Sequence, residues 1–189
     1  MRETVQTAQQ KGVAIGAHPS FLDLQGFGRR EMLLSAQEIF DLVLYQVSAL
    51  KGICEAFDAK LHHVKPHGAL YNLAARDEKV AGAVAGAVWK IDENLILFGL
   101  SGSFLISEAE KIGLKTASEV FADRTYQTDG SLTPRNQPNA LIVSPEKSIE
   151  QVLQMITQKT VTATTDEIIP IVAETICLHG DGAHAVEFA

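Results

Sequence analysis

The chain has 189 residues, 46% of them hydrophobic and 21% charged, which is the balance of a globular protein with a real core and excludes a disordered segment. Its formal net charge of -7, with no extended basic stripe, argues against nucleic acid or an anionic membrane as partner and leaves a small molecule or another protein. No apolar run reaches the roughly eighteen residues of a membrane helix, and the opening MRETVQTAQQ has neither a basic nor an apolar signal region, so the expected compartment is the cytoplasm.

In chain order, residues 1–11 read as a helix, and Val13 to Ala17 as a short apolar strand that runs into the Pro- and Gly-rich loop HPSFLDLQGFGRR. Ser35 then caps a long helix, with Glu38 at the capping-box position and Ile39, Leu42, Val43, Gln46, Val47 and Leu50 on one face. Leu61 to Lys65 is the next strand, followed by a turn at Pro66-His67-Gly68 and helical material from Asp77 to Lys90. Leu95 to Gly99 reads as a third strand and Phe104 to Lys111 as its helix. Ala117 to Phe121 leads into a second polar loop, ADRTYQTDGSLTPRNQP, and a helix is expected after Ser148 over residues 149–155. Strands are expected at 168–172 and 174–178, the last one delivering His179-Gly180-Asp181 before a final helix.

No linker, low-complexity tract or repeat divides the chain, so one domain over 1–189 is expected. Strand, loop and helix in series predict an α/β fold with a parallel sheet. Chemistry-bearing residues gather directly after strands, at 18, 65–67, 119–124 and 179–181, as they do at one rim of a (β/α) barrel. An open doubly wound sheet is less favoured, because no GxGxxG or Walker-type loop follows a strand.

Four clusters could carry chemistry. His18, Asp23, Arg29 and Arg30 lie in the first loop, where a strand-end His can be acid, base or ligand and the arginines offer forks for carboxylate or phosphate. The bland reading weighs as much, with Gly26 and Gly28 serving turns and Arg30 a surface cation. Lys65, His67, Tyr71 and Asn72 form the second cluster, and a lysine at a strand end can hold an anion or move a proton. His62 and His63 point to opposite faces of their strand and are read as structural.

Glu119, Asp123, Arg124, Tyr126 and Arg135 make the third cluster; alternation puts Glu119, Phe121 and Asp123 on one side. His179 and Asp181 make the fourth, with Gly180 between them leaving room for a ligand, while His184 is read as structural. A nucleophile triad is unsupported, since there is no GxSxG elbow. Cys54 and Cys177 form no CxxC or zinc pattern and are expected to be buried hydrophobes. No HExxH-like spacing fixes a metal site, and the metal requirement is left open.

The segments GAHPSFLDLQGFGRREM, HVKPHGALYN, EVFADRTYQTDGSLTPR and CLHGD resemble, in order, successive signature blocks of the LamB/YcsF family. The resemblance covers nearly the whole chain. It implies a (β/α) barrel of the seven-stranded glycoside hydrolase/deacetylase type. It also implies the A subunit of an enzyme that opens the lactam of 5-oxoproline to glutamate with ATP and water, beside B and C subunits. ATP, with or without a divalent metal, is the implied cofactor, and self-association into a homo-oligomer is left open.

On this resemblance His18, Lys65, His67, Asp123, His179 and Asp181 are the catalytic candidates. Asp23, Arg29, Asn72, Glu119, Arg124, Tyr126 and Arg135 are the candidates for binding substrate or ATP. The family's opening blocks, of the DLNxDxGE and NxACGxHAGD kinds, would precede Met1, so the barrel is expected to be incomplete, with its first strands missing. Two alternatives follow: an inactive truncated remnant of the same enzyme component, and a metal-dependent deacetylase-like hydrolase.

Overall fold

The computed structural model describes residues 1–179, which divide into two compact units: Met1–Gly99 with Ser103–Ala117, and Leu100–Gly102 with the residues from Ser118 on. Asp181 and His184 lie outside the described residues, as does the expected final helix.

The first unit begins with α1 (Arg2–Gln10) and β1 (Ile15–Ala17), both close to their expected places. The long helix α2 (Ala36–Ala56) starts at Ser35, whose side chain accepts from the Glu38 N–H while the Glu38 carboxylate accepts from the Ser35 N–H. This capping box satisfies donors that a helix start otherwise leaves orphaned. β2 (Leu61–Val64) follows, then α3 (Gly68–Arg76), α4 (Glu78–Ile91), β3 (Ile96–Leu100) and α5 (Phe104–Lys111). Helix α3 departs from expectation: the sequence presents Pro66-His67-Gly68 as a turn, yet Gly68, at φ 58, opens directly into a helix.

β1, β2 and β3 pair in parallel, with Ala17 opposite Val64 and Val64 opposite Leu97. Alternation sends Val64 and Leu97 into a core with Ile39, Val43 and Val47 of α2 and Val84 and Val88 of α4, all fully buried. The opposite face carries Gly16, His63 and Phe98. His63 stacks on Phe98 with ring centroids 4.3 Å apart; His62, expected on the opposite face, is exposed and turns its ring back to His63, Nδ1 to Nδ1 at 3.1 Å. Burial, with the nearby His62 and Lys65 charges, holds the His63 imidazole down at about 4, so it is a neutral ring near neutral pH.

In the second unit β4 (Lys115–Phe121, its first three residues belonging to the first unit) pairs in parallel with β7 (Thr175–Cys177), Phe121 lying opposite Cys177. Helix α6 (Pro145–Thr157) starts earlier than expected. Ser144 is its cap, Pro145 takes the first turn, and Ser148 is a buried residue inside it. β5 (Thr160–Thr162) and β6 (Ile168–Pro170) form an antiparallel pair, of which the sequence predicts only β6.

β1, β2 and β3 are thus parallel neighbours in the first unit and β4 and β7 in the second, with helices in the connections. This is the α/β architecture expected of an incomplete (β/α) barrel. Cys54 and Cys177 are both buried, as read from the sequence. Among the described residues no helix is long and apolar enough to cross a membrane.

Candidate functional site

Each unit gathers its candidate residues at the end of a strand. In the first, the loop after β1 folds back on the loop after β2 through backbone bonds. The Lys65 N–H donates to Ala17 O at 2.9 Å, the His67 N–H to Pro19 O at 2.8 Å and the Ala69 N–H to Gly28 O at 2.9 Å. Phe27 and Gly28 sit at φ 55 and 67, a left-handed pair that turns the loop. Gln46 of α2 holds the loop from the other side, its amide group accepting from the Ser20 N–H and donating to Ser20 O.

Asp23 is an internal strut of this loop. Its carboxylate accepts from the Gly26 N–H at 2.9 Å and the Arg30 N–H at 3.3 Å, and it pairs with the Arg30 guanidinium through Nε at 3.0 Å. The Arg30 hydrogen bond is the largest cause holding the Asp23 carboxyl down at about 2; partial burial opposes it, and the two backbone donors and the Arg30 charge assist. Since the folded-state carboxyl lies below the ordinary Asp value of about 3.9, the pair favours the folded loop above that pH. The contribution fades as pH falls toward 2. Asp23, a candidate for binding substrate or ATP, is held by these contacts within its own loop. Arg30→Gln is expected to return the Asp23 carboxyl toward the ordinary range, read by a carbon NMR titration of that side chain. An unmoved titration would assign the whole effect to the backbone donors.

His18 and His67 meet edge-on, with His67 Nδ1 2.9 Å from His18 Nε2 and ring centroids 4.8 Å apart. His18 Nδ1 lies 2.6 Å from Lys65 O, and His67 Nε2 lies 2.8 Å from Phe27 O. The Lys65 ammonium lies 5.9 Å from the centre of the buried Tyr71 ring, and the Arg29 guanidinium 5.2 Å from that of Phe27. Asn72 and Arg29 are exposed. The structure thus brings His18, Lys65 and His67 into one cluster, with Arg29 beside it.

In the second unit the principal feature is a carboxylate and a histidine. His179 Nδ1 lies 2.9 and 2.8 Å from the two oxygens of Asp123, and Phe121 stacks on the imidazole with centroids 5.7 Å apart. Burial alone would raise the Asp123 carboxyl, but the His179 hydrogen bond and charge outweigh it and leave the group below its ordinary value. Asp123 is therefore ionised and, in the neutral ring, fixes the proton on Nδ1, which leaves Nε2 as the ring's acceptor nitrogen. The two residues are 56 apart in sequence and meet because β4 and β7 are neighbours ending at the same level.

Arg124 and Tyr126, candidates for binding substrate or ATP, lie in the interior of the second unit. The Arg124 guanidinium is 4% exposed and donates to Ala140 O at 3.2 Å and Thr133 O at 2.5 Å. Burial and then the Arg135 charge press it down to about 10, with Asp123, Tyr126 and Cys177 opposing, so it stays protonated near neutral pH. Tyr126 is fully buried and its hydroxyl accepts from the Phe121 N–H at 2.8 Å. Burial, foremost, raises its phenol well above the usual range. Glu119 is buried at 2% exposure, and Arg135 is exposed.

Sequence reasoning missed Ser148 and Gln151 of α6 as supports of this site. The Ser148 hydroxyl donates to Ala122 O at 2.8 Å, and the Gln151 amide donates to Phe121 O and Arg124 O at 2.9 Å. They hold the strand end that carries Asp123. The one available signal was a pair of polar residues three apart on an otherwise amphipathic helix. Among the described residues no group of three or more His, Cys, Asp or Glu is arranged to hold a metal ion.

The LamB/YcsF family matches residues 1–189. A Tolumonas auensis protein, named as the A subunit of 5-oxoprolinase, is 59% identical over all of this chain and 75% of its own length. The Bacillus subtilis protein of the same name is 53% identical over all of this chain and 74% of its own. The crystal structure of a lactam utilization protein from Thermus thermophilus superposes with a TM-score of 0.90 at 42% identity, over 99% of this chain and 76% of that one. These matches agree with the signature blocks read from the sequence, and the chain belongs to the LamB/YcsF family.

Proposed function

We propose that this chain acts as the A subunit of an ATP-dependent 5-oxoprolinase, opening the lactam of 5-oxo-L-proline to L-glutamate together with B and C subunits. The observation that carries the reading is the Asp123 carboxylate seated on His179 Nδ1, an acid–base unit at a strand end, in a chain 59% identical to a protein named for that reaction.

A lactam carbonyl is a weak electrophile. Transfer of the γ-phosphoryl group of ATP to the lactam oxygen, with ADP leaving, makes the ring carbon open to water. His179 Nε2 takes the proton of that water as it adds, then returns it to the ring nitrogen as the C–N bond breaks. The acyl phosphate left behind is cleaved by a second water to glutamate and phosphate. Lys65 and Arg29, in the first unit, are cations suited to an anionic group on substrate or nucleotide.

The test is glutamate release from 5-oxoproline and ATP by this chain mixed with its B and C partners. ATP-dependent glutamate formation that is lost in His179→Gln supports the reading. No glutamate from the wild-type mixture, or full activity in His179→Gln, would overturn it.

A further inference from the structure

We propose that His18 and His67 are one imidazole–imidazolium pair holding three protons between them, and that the pair positions the 18–30 loop while neither ring serves as acid or base in the reaction. The argument is a count of donors. Lys65 O and Phe27 O are carbonyl oxygens and can only accept, so His18 Nδ1 and His67 Nε2, at 2.6 and 2.8 Å from them, each carry a proton. The two remaining nitrogens face each other at 2.9 Å, a separation that requires one proton between them. Two neutral rings hold two protons; this arrangement holds three and a net charge of +1. With only two, bare lone pairs would face each other or a nitrogen would face a carbonyl without a proton. With four, two N–H groups would collide.

All four ring nitrogens are thereby engaged within the chain. This leaves the proton transfers proposed above to His179 and gives the pair a different task. It ties the carbonyl of Phe27, a non-glycine residue in the left-handed region at φ 55, to the carbonyl of Lys65 at the end of β2. Docking of the loop therefore takes up one proton relative to an undocked loop with two neutral histidines. Among the described residues the charged and titratable groups near the pair include Lys65 and His63 on β2, Arg29 and the Asp23–Arg30 pair in the loop, and Tyr71 on α3. The cations Lys65 and Arg29 oppose the extra proton, and the two carbonyl acceptors favour it.

Long-range proton–nitrogen NMR of the histidine rings in the whole chain, followed from about pH 5 to about pH 9, tests this. Expected are protonated-type signals at His18 Nδ1 and His67 Nε2, one shared proton between the facing nitrogens, and its loss in a single step common to both rings. His67→Leu should leave His18 titrating alone with one ordinary bare nitrogen. Two neutral rings, each with a bare nitrogen, in the docked state would overturn the proposal, as would two independent titrations. In the complete enzyme, His67→Gln should lower lactam hydrolysis at every pH without removing a limb of the pH profile, and loss of a limb would equally overturn it. The spectra read the pair directly, so they decide its protonation even if 5-oxoprolinase activity is absent.

Discussion

Asp123→Asn is expected to lower turnover of the lactam by about a hundredfold to ten-thousandfold with little change in KM, the range lost when a positioned proton-transfer group fails. Asn is nearly the shape of Asp, so packing under Phe121 should persist. What changes is the tautomer. The Asp123 oxygens accept from His179 Nδ1 and so leave Nε2 bare; an Asn amide can turn its NH2 toward Nδ1 instead and move the ring proton to Nε2, where it blocks the base.

The same pair predicts an acid limit. The Asp123 carboxyl lies below its ordinary value in the folded protein, so its contribution to stability is complete above the ordinary Asp range near about pH 4 and declines as pH falls through its folded value. Denaturant titrations of wild type and Asp123→Asn should therefore differ most near neutral pH and converge in acid. Turnover in Asp123→Asn within a few-fold of wild type would show that His179 is not the base.

The contrast between Asp123 and Arg124 shows what the sequence could and could not say. Both are charged, adjacent and just past a strand. Asp123 was legible because the period of two on β4 and the placement of His179 after the last strand each put a reactive group at a strand end. Arg124 could not be separated from it, because its partners are the carbonyls of Thr133 and Ala140, nine and sixteen residues on, in a loop without periodicity. That loop has few ladder partners for its carbonyls, and a buried guanidinium with several donors satisfies them.

The capping box at Ser35 was legible for the opposite reason, since all its partners lie within three residues. β5 was not. Its residues Thr160, Val161 and Thr162 become a strand only by pairing with residues 168–170, a contact that local pattern does not encode. Helix α3 was obscured by Gly68, which the sequence presents as a turn residue and the structure uses as the left-handed step into a helix.

That glycine supports the sharpest stability prediction. At φ 58 an alanine pays the left-handed penalty of roughly 1–2 kcal/mol, and its Cβ would stand 2.6 Å from Gly28 O. A backbone oxygen cannot swing aside as a side chain can, so the first loop must retreat from α3, at a further cost of about 1–3 kcal/mol for overpacking. The Gly28 carbonyl is also the acceptor of the Ala69 N–H, so the retreat breaks a bond that docks the loop.

Gly68→Ala should therefore destabilise the first unit by roughly 2–5 kcal/mol in urea titrations. Gly12→Ala is the control within the same unit: its φ is 65 and nothing lies within 4 Å of the added Cβ, so only the left-handed term of about 1–2 kcal/mol applies. Equal midpoint shifts in the two variants would mean that Gly68 is needed for its φ alone and that the loop does not press on it. A larger shift for Gly68→Ala, together with weakened His18–His67 ring signals, would mean that the close approach of Gly28 to Gly68 holds the loop and the histidine pair together.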